Sequence, residues 1–153
     1  MRLTNMTDYA LRLLIFLAQQ PQRLCTIAEV ARSHAISEAH LMKITHQLAL
    51  TGWIETVRGK GGGMRLARAP RDIVLGDLVR SIEPDFFMVE CFAPGSRCVL
   101  TGNCRLTGVI DGALRSFMQH LDGHTLADIL PTPAQALASQ AVRIQWAARE
   151  GRA

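Results

Sequence analysis

The 153-residue chain has no run of apolar residues that reaches the ~18 needed to cross a membrane as a helix. After Met1–Met6, which carries only Arg2, no separate apolar stretch with a cleavage site follows, so the expected location is the cytoplasm. There is no glycine motif for a substrate phosphate and no pairing of nucleophile with base, so an enzyme is not expected. There is no internal repeat. The cysteines lack the close Cys-x-x-Cys pairs of a zinc ribbon. What is present is 48% hydrophobic and 20% charged, the balance of a soluble globular protein of about one domain. Disulfides are rare in the expected compartment, so its four cysteines suggest metal or redox chemistry.

Charge is unevenly placed. Residues 1–72 hold ten Lys/Arg against five Asp/Glu, and residues 73–153 hold seven against eight. A basic first half joined to a near-neutral second half suggests a nucleic-acid reader coupled to something else.

Tyr9, Leu13, Phe16 and Leu17, with Ala10 and Leu14, recur at helical spacing and predict a helix over 4–19, ended by Pro21. Thr26-Ile-Ala-Glu29 is a capping box opening a helix over 26–33. After a tight connection at 34–36, Ser37 caps a helix over 38–51 that buries Leu41, Ile44, Thr45 and Leu48, with Gly52 at its C-terminal end. Two short helices joined this way form a helix-turn-helix. Residues 53–57 alternate as a strand and 64–67 return antiparallel, with four glycines among the six residues Arg58–Gly63. The predicted fold is therefore mainly α with a small β-hairpin wing: a winged helix-turn-helix over 1–72.

Residues 69–72 mark the break. Residues 73–130 then hold a helix over 75–82, an irregular cysteine segment, and a long helix over 105–121. Leu106, Val109, Ile110, Ala113, Leu114, Phe117, Met118 and Leu121 line one side of that helix. So long an apolar stripe in so small a chain is expected to bury against a second copy, as readers with one helix-turn-helix usually work in pairs. Thr125–Asp128 repeats the capping-box pattern. The tail, 131–153, is Ala- and Gln-rich and reads as helical over 134–149.

Ser37, His40 and Lys43 lie near the start of the second helix of the helix-turn-helix, away from its apolar side, where side chains reach base edges or phosphates. Arg58, Lys60, Arg65, Arg68 and Arg71 fall within fourteen residues that contain no acid. This density suits phosphate contacts or insertion of the wing into a minor groove, with the wing glycines allowing close backbone approach. The candidate DNA contacts are Thr26, Ser37, His40, Lys43, Arg58, Lys60, Gly61 and Gly62, with Arg2 and Arg12 as further phosphate contacts.

Cys91, Cys98 and Cys104 share one fourteen-residue stretch broken by Pro94, Gly95 and Gly102. Soft thiolates at wide spacing suit a loop around an iron–sulfur cluster better than a single zinc, although zinc with three Cys and one other ligand stays open. The fourth ligand is open too: Cys25, Asp8, Asp85, Glu90, Asp111, His120 or a small molecule. Cys25 itself reads better as a small buried apolar residue.

Met1–Thr4, Thr7–Arg12, His40–Lys43 and Val57–Gly63 resemble the iron–sulfur winged-helix repressors. Glu83–Phe86, Glu90–Phe92, Cys104–Leu106 and Thr125–Asp128 resemble the nitric-oxide-sensing branch of that family, and the match runs from residue 1 to about 130. The resemblance implies a homodimer joined through the long helix, and a cluster held by Cys91, Cys98 and Cys104. It implies 4Fe–4S first, with 2Fe–2S as the alternative, and Asp8 of the partner subunit as the fourth ligand. No His lies at 105–110, where the branch that senses cluster supply carries one. The implied function is a repressor that binds palindromic double-stranded DNA with its cluster intact and lets go when nitric oxide reacts there. Other readings are a redox or iron–sulfur-supply sensor on the same scaffold, a zinc-stabilised DNA-binding protein, and an electron-carrying or catalytic iron–sulfur protein. The last leaves the basic wing unexplained.

Overall fold

The computed structural model describes residues 3–100 and 104–132. The expected helix over 134–149 and Arg2 lie outside the described residues. In order come α1 (Asn5–Ala18), α2 (Ile27–His34), α3 (Glu38–Leu50), β1 (Ile54–Val57), β2 (Gly63–Leu66), α4 (Leu75–Ile82) and α5 (Arg105–Asp122). Short 3-10 turns occur at Pro70–Asp72, Glu90–Phe92 and Leu126–Ile129. Helix-turn-helix followed by an antiparallel hairpin is a winged helix, as the sequence predicts. Element ends differ from the sequence expectation by about one residue, because caps rather than periodicity set them.

The caps are local and explicit. Thr4 starts α1 by accepting the Thr7 N–H at 3.4 Å. Thr26 and Glu29 complete the capping box of α2, with the Thr26 N–H donating to Glu29 Oε2 at 2.7 Å. Ser37 starts α3 by accepting the His40 N–H at 3.3 Å. The turn between α2 and α3 is closed by Ala35, whose φ of 53° lies in the left-handed region that usually falls to glycine.

The core is built on α1, which buries Thr7, Ala10, Leu13, Leu14 and Leu17 at three- and four-residue spacing. Against it pack Leu41, Ile44 and Leu48 of α3, Val30 of α2 and Met64 of the hairpin. Each fully buried Leu contributes about 1.5–3 kcal/mol. Ile73, Leu78 and Leu126 from the second half of the chain belong to the same cluster. The hairpin pairs Ile54 with Leu66 and Val57 with Gly63. Cys25 adds a third short rung, exchanging both backbone hydrogen bonds with Met64 at 2.9 and 2.8 Å.

The C-terminal end of α5 is fastened to α4. Arg80 forks onto Asp122 with two contacts of 2.7 Å. Asp122 comes this close because Gly76 has no side chain: a Cβ there would sit 1.8 Å from Asp122 Oδ1. The Arg80 guanidinium holds the Asp122 carboxyl below its usual range. The N-terminal part of α5 is different. Only Met118 is buried in this helix, and Leu106 and Val109 are 60% and 67% exposed.

Gly63 is the tightest point of the wing's attachment. A Cβ there would lie 2.7 Å from the Cys25 carbonyl oxygen, which cannot move without breaking its bond to Met64. Gly63→Ala is expected to destabilise the fold by about 1–3 kcal/mol. Thermal unfolding measures this, and an unchanged Tm would show that the Cys25–Met64 rung yields freely.

Candidate metal centre and nucleic-acid interface

α3 exposes Ser37, His40 and Lys43 on one side and buries Leu41, Ile44, Thr45 and Leu48 on the other. Ser37 is occupied twice: besides the backbone cap, its hydroxyl lies 2.9 Å from His40 Nδ1. The His40 ring also meets Tyr9 of α1, with centroids 6.2 Å apart and planes inclined by 47°. Thr26 is committed to its own helix, because its hydroxyl accepts the Glu29 N–H at 3.3 Å and donates to Glu29 Oε2 at 3.1 Å. The Thr26 N–H, its largest support, holds the Glu29 carboxyl below the ordinary range.

The five wing cations are not equivalent. Arg65 pairs with Glu55 directly across the hairpin at 2.8 Å, and Arg68 stacks 4.9 Å over the Trp53 ring. Arg71 sits 4.0 Å from Asp72. Arg58 and Lys60 form no ion pair among the described residues and are exposed at the tip. The tip needs its glycines: Gly59 and Gly61 have φ of 98° and 78°. Gly62 closes the turn with a 2.9 Å bond to Gly59 O, and a Cβ there would strike Val57 O at 2.3 Å. Arg12 is paired with Asp8 at 2.9 Å on the exposed face of α1.

The three loop cysteines are all half-buried and form no disulfide among the described residues. Cys91 lies in the Glu90–Phe92 turn, Cys98 follows a bend at Gly95, and Cys104 caps the N-terminus of α5. Thr107 links two of them. Its hydroxyl is 3.6 Å from Cys91 Sγ. Its N–H first, then its hydroxyl and the Leu106 N–H, hold the Cys104 thiol below its ordinary pKa. The donor set fits a thiophilic metal group: three sulfurs on one loop, with Cys104 at the positive end of α5 and the Thr107 hydroxyl beside Cys91. Among the described residues, however, no three His, Cys, Asp or Glu side chains converge closely enough to hold a metal ion.

The other ligand candidates are dispersed. Cys25 is fully buried beside the wing, and burial pushes its thiol up. Asp85 accepts the Phe87 N–H at 3.0 Å, and Asp111 pairs with Arg115. His120 packs edge-on against His124 with centroids 4.7 Å apart, and Glu90 is exposed in its turn. Asp8 sits in the first turn of α1, bound to Arg12. Two contributors escaped the sequence reading. Thr107 was findable as the third residue of the helix that Cys104 opens. Glu83, which accepts from the Thr4 N–H at 2.8 Å and hydroxyl at 3.1 Å, carried no such signal, because its partner is 79 residues away.

Comparison with known proteins gives a consistent picture. The family model Rrf2, described as "Iron-dependent Transcriptional regulator", matches residues 3–132. The chain is 48% identical over 132 residues to the HTH-type transcriptional regulator NsrR of Geobacillus kaustophilus (strain HTA426), covering 85% of this chain and 90% of that protein. It is 46% identical over 132 residues to the protein of the same name from Bacillus subtilis (strain 168), with the same coverage. Among solved structures, T. potens IscR is similar with a TM-score of 0.68 and 27% identity, covering 84% of this chain and 85% of that one. The family and both relatives are transcriptional regulators rather than enzymes.

The contrast between Cys104 and Cys25 is testable on the metal-free chain. The thiolate is the reacting form, so the thiol with the lowered pKa alkylates early and the buried one with the raised pKa stays protected. With iodoacetamide near neutral pH, Cys104 is expected to be labelled in the folded chain and Cys25 only after unfolding. Mass mapping over time reads this, and early labelling of Cys25 would contradict its burial.

Proposed function

This chain belongs to the Rrf2 family of transcriptional regulators, and we propose that it is a nitric-oxide-sensing repressor whose hold on DNA depends on an iron–sulfur cluster. The observation that carries this is the thiol group Cys91, Cys98 and Cys104 with Thr107 at the head of α5, in a chain whose winged helix leaves Arg58 and Lys60 unpaired. The relatives at 48% and 46% identity support a transcriptional regulator; the choice of signal rests on the resemblance of Glu83–Phe86, Glu90–Phe92, Cys104–Leu106 and Thr125–Asp128 to the nitric-oxide-sensing branch.

In this reading residues 1–72 read a palindromic operator and residues 73–130 carry the cysteine loop and the dimer helix. Work on DNA places the protein in the cytoplasm in this reading, and no helix among the described residues is long and apolar enough to cross a membrane. The exposed Leu106 and Val109 on α5 support burial of that face against a second copy, which would set two winged helices at half-site spacing. Ser37, His40 and Lys43 would enter the major groove. Arg58 and Lys60, with the backbone at Gly61 and Gly62, would lie on sugar and phosphate. Thr26 would present its end of α2 to the same backbone.

Cys91, Cys98 and Cys104 would bind the cluster, 4Fe–4S, as thiolates, with Asp8 of the partner subunit as fourth ligand. When bound, the cluster supplies iron that a diatomic gas can attack. Asp8 is the odd ligand, an oxygen donor among sulfurs and so the easiest to displace. A released Asp8 has Arg12 waiting at 2.9 Å on its own helix. Without that contact the first turn of α1 would be free of the other subunit's loop, and the placement of the two reading helices would relax.

Holo protein purified anaerobically is expected to be a dimer carrying iron and acid-labile sulfide by native mass spectrometry. Nitric oxide should lower its operator affinity by roughly 10- to 100-fold in gel shifts. Unchanged affinity would sink the sensing role, and zinc in place of iron would sink the cluster. Asp8→Ala should keep the three thiolates and the dimer while weakening or abolishing the holo-dependent gain in affinity.

A further inference from the structure

Ser37 does more than cap α3. Its oxygen accepts the His40 N–H at 3.3 Å and lies 2.9 Å from His40 Nδ1. A hydroxyl has one proton to give and two lone pairs. With a lone pair taken by the backbone, the proton is available to Nδ1. The helix end favours the same arrangement. First-turn N–H groups make that end positive, which stabilises a ring lone pair facing it over a ring N–H. A neutral imidazole that accepts at Nδ1 carries its proton on Nε2. Tyr9 restrains the ring from α1, and Nε2 makes no hydrogen bond to the described residues.

We propose that His40 reads the operator as a fixed donor: Ser37 holds it in the Nε2–H tautomer, and Nε2–H bonds N7 of a purine in the major groove. The inference rests on the repressor reading, which puts α3 in that groove. His40 is the third residue of α3, within the N-terminal turn that meets base edges. The acceptors there are N7 of both purines, O6 of guanine and O4 of thymine, whereas the amino groups of cytosine and adenine repel a donor; N7 is the acceptor both purines share, and it is the one proposed. Ser37 is then a positioning residue that acts through His40 and needs no DNA contact of its own.

The test has two arms on the full chain purified anaerobically. In the first, long-range proton–nitrogen correlation spectra of the histidine rings are recorded in mildly alkaline solution, where an ordinary imidazole is neutral. His40, assigned by its loss in His40→Gln, should be Nε2–H alone in the wild type and in Ser37→Thr. In Ser37→Gly, which still tolerates the N-cap, it should relax to the tautomer mixture of an unrestrained histidine, in which Nε2–H is only the majority form. A wild-type Nδ1–H ring, or the same mixture in the wild type and Ser37→Gly, overturns the proposal. In the second arm, a duplex selected from random sequences by the wild type is given 7-deazapurines one position at a time. One position per half-site should weaken wild-type binding about tenfold and leave His40→Ala unaffected. His40→Gln, which places an amide N–H near the Nε2 position, should keep the preference, and His40→Asn should lose it. Absence of such a position, or His40-dependent loss only on methylphosphonate substitution of a phosphate, overturns the base contact. Failure to select any duplex sinks the repressor reading and the base contact together, while the first arm still decides what Ser37 does.

Discussion

Glu83 and Thr4 hold together two parts of the chain whose relative placement decides everything downstream. Glu83 Oε1 accepts both the N–H and the hydroxyl of Thr4, at 2.8 and 3.1 Å. Thr4 is the N-cap of α1, and Glu83 ends α4 because the residue before Pro84 is pushed out of helical geometry. Hydrogen bonds to a charged group contribute about 1.5–3 kcal/mol, less where solvent reaches them as it does here. The effect is positional more than energetic. The clasp fixes the turn that carries Thr7, Asp8 and Tyr9 against the segment that leaves Pro84 toward Cys91. Leu3, Phe86 and Phe117 surround it in a cavity of about 260 Å³, so the head of α1, the root of the cysteine loop and α5 meet at one place.

From there α1 reaches both functional regions. Its inner face, Ala10, Leu13, Leu14 and Leu17, is locked in the core against α3 and the hairpin. Its outer face carries Asp8 and Arg12, and Tyr9 beside them touches His40 at the head of α3. A close-packed core moves as a unit rather than deforming. Asp8 and the head of α3 are therefore linked through one rigid helix and one ring contact. No long relay is needed.

The fold was legible because its determinants are local. Apolar periodicity marks the buried face of α1 and α3. Thr26, Ser37 and Thr125 announce helix starts within three residues of themselves, and the glycine cluster at 59–63 announces the wing. The site was legible in its atoms but not in its assembly. Three thiols in one loop are visible in the sequence, yet no local pattern says which distant residue would complete a metal centre there. The wing shows the same limit. Counting charges gives five cations over 58–71, but strand register places Glu55 opposite Arg65, and Arg68 lies over Trp53. Cross-strand neighbours are set by pairing, which a charge count does not contain. The same holds for α5, where the stripe was plain and its covering belongs to another molecule in the proposed dimer.

The weakness of the Asp8–Arg12 pair is what makes Asp8 usable as a proposed ligand. Both side chains are about half exposed, and such pairs contribute well under about 1 kcal/mol. Giving up Arg12 to reach a partner's cluster therefore costs little, and returning to it gains little. In the proposed dimer the state of the cluster, not the ion pair, would then decide where the carboxylate goes. A buried, well-satisfied pair at this position would hold Asp8 on its own helix and uncouple the loop from DNA. An unpaired Asp8 would face its own helix with no competing partner once released. A ligand shifts an equilibrium only by its differential affinity for the two states. If Asp8 is that ligand, a loosely held carboxylate would let nearly all of the difference between intact and reacted cluster appear as a change in where α1, and with it α3, can sit.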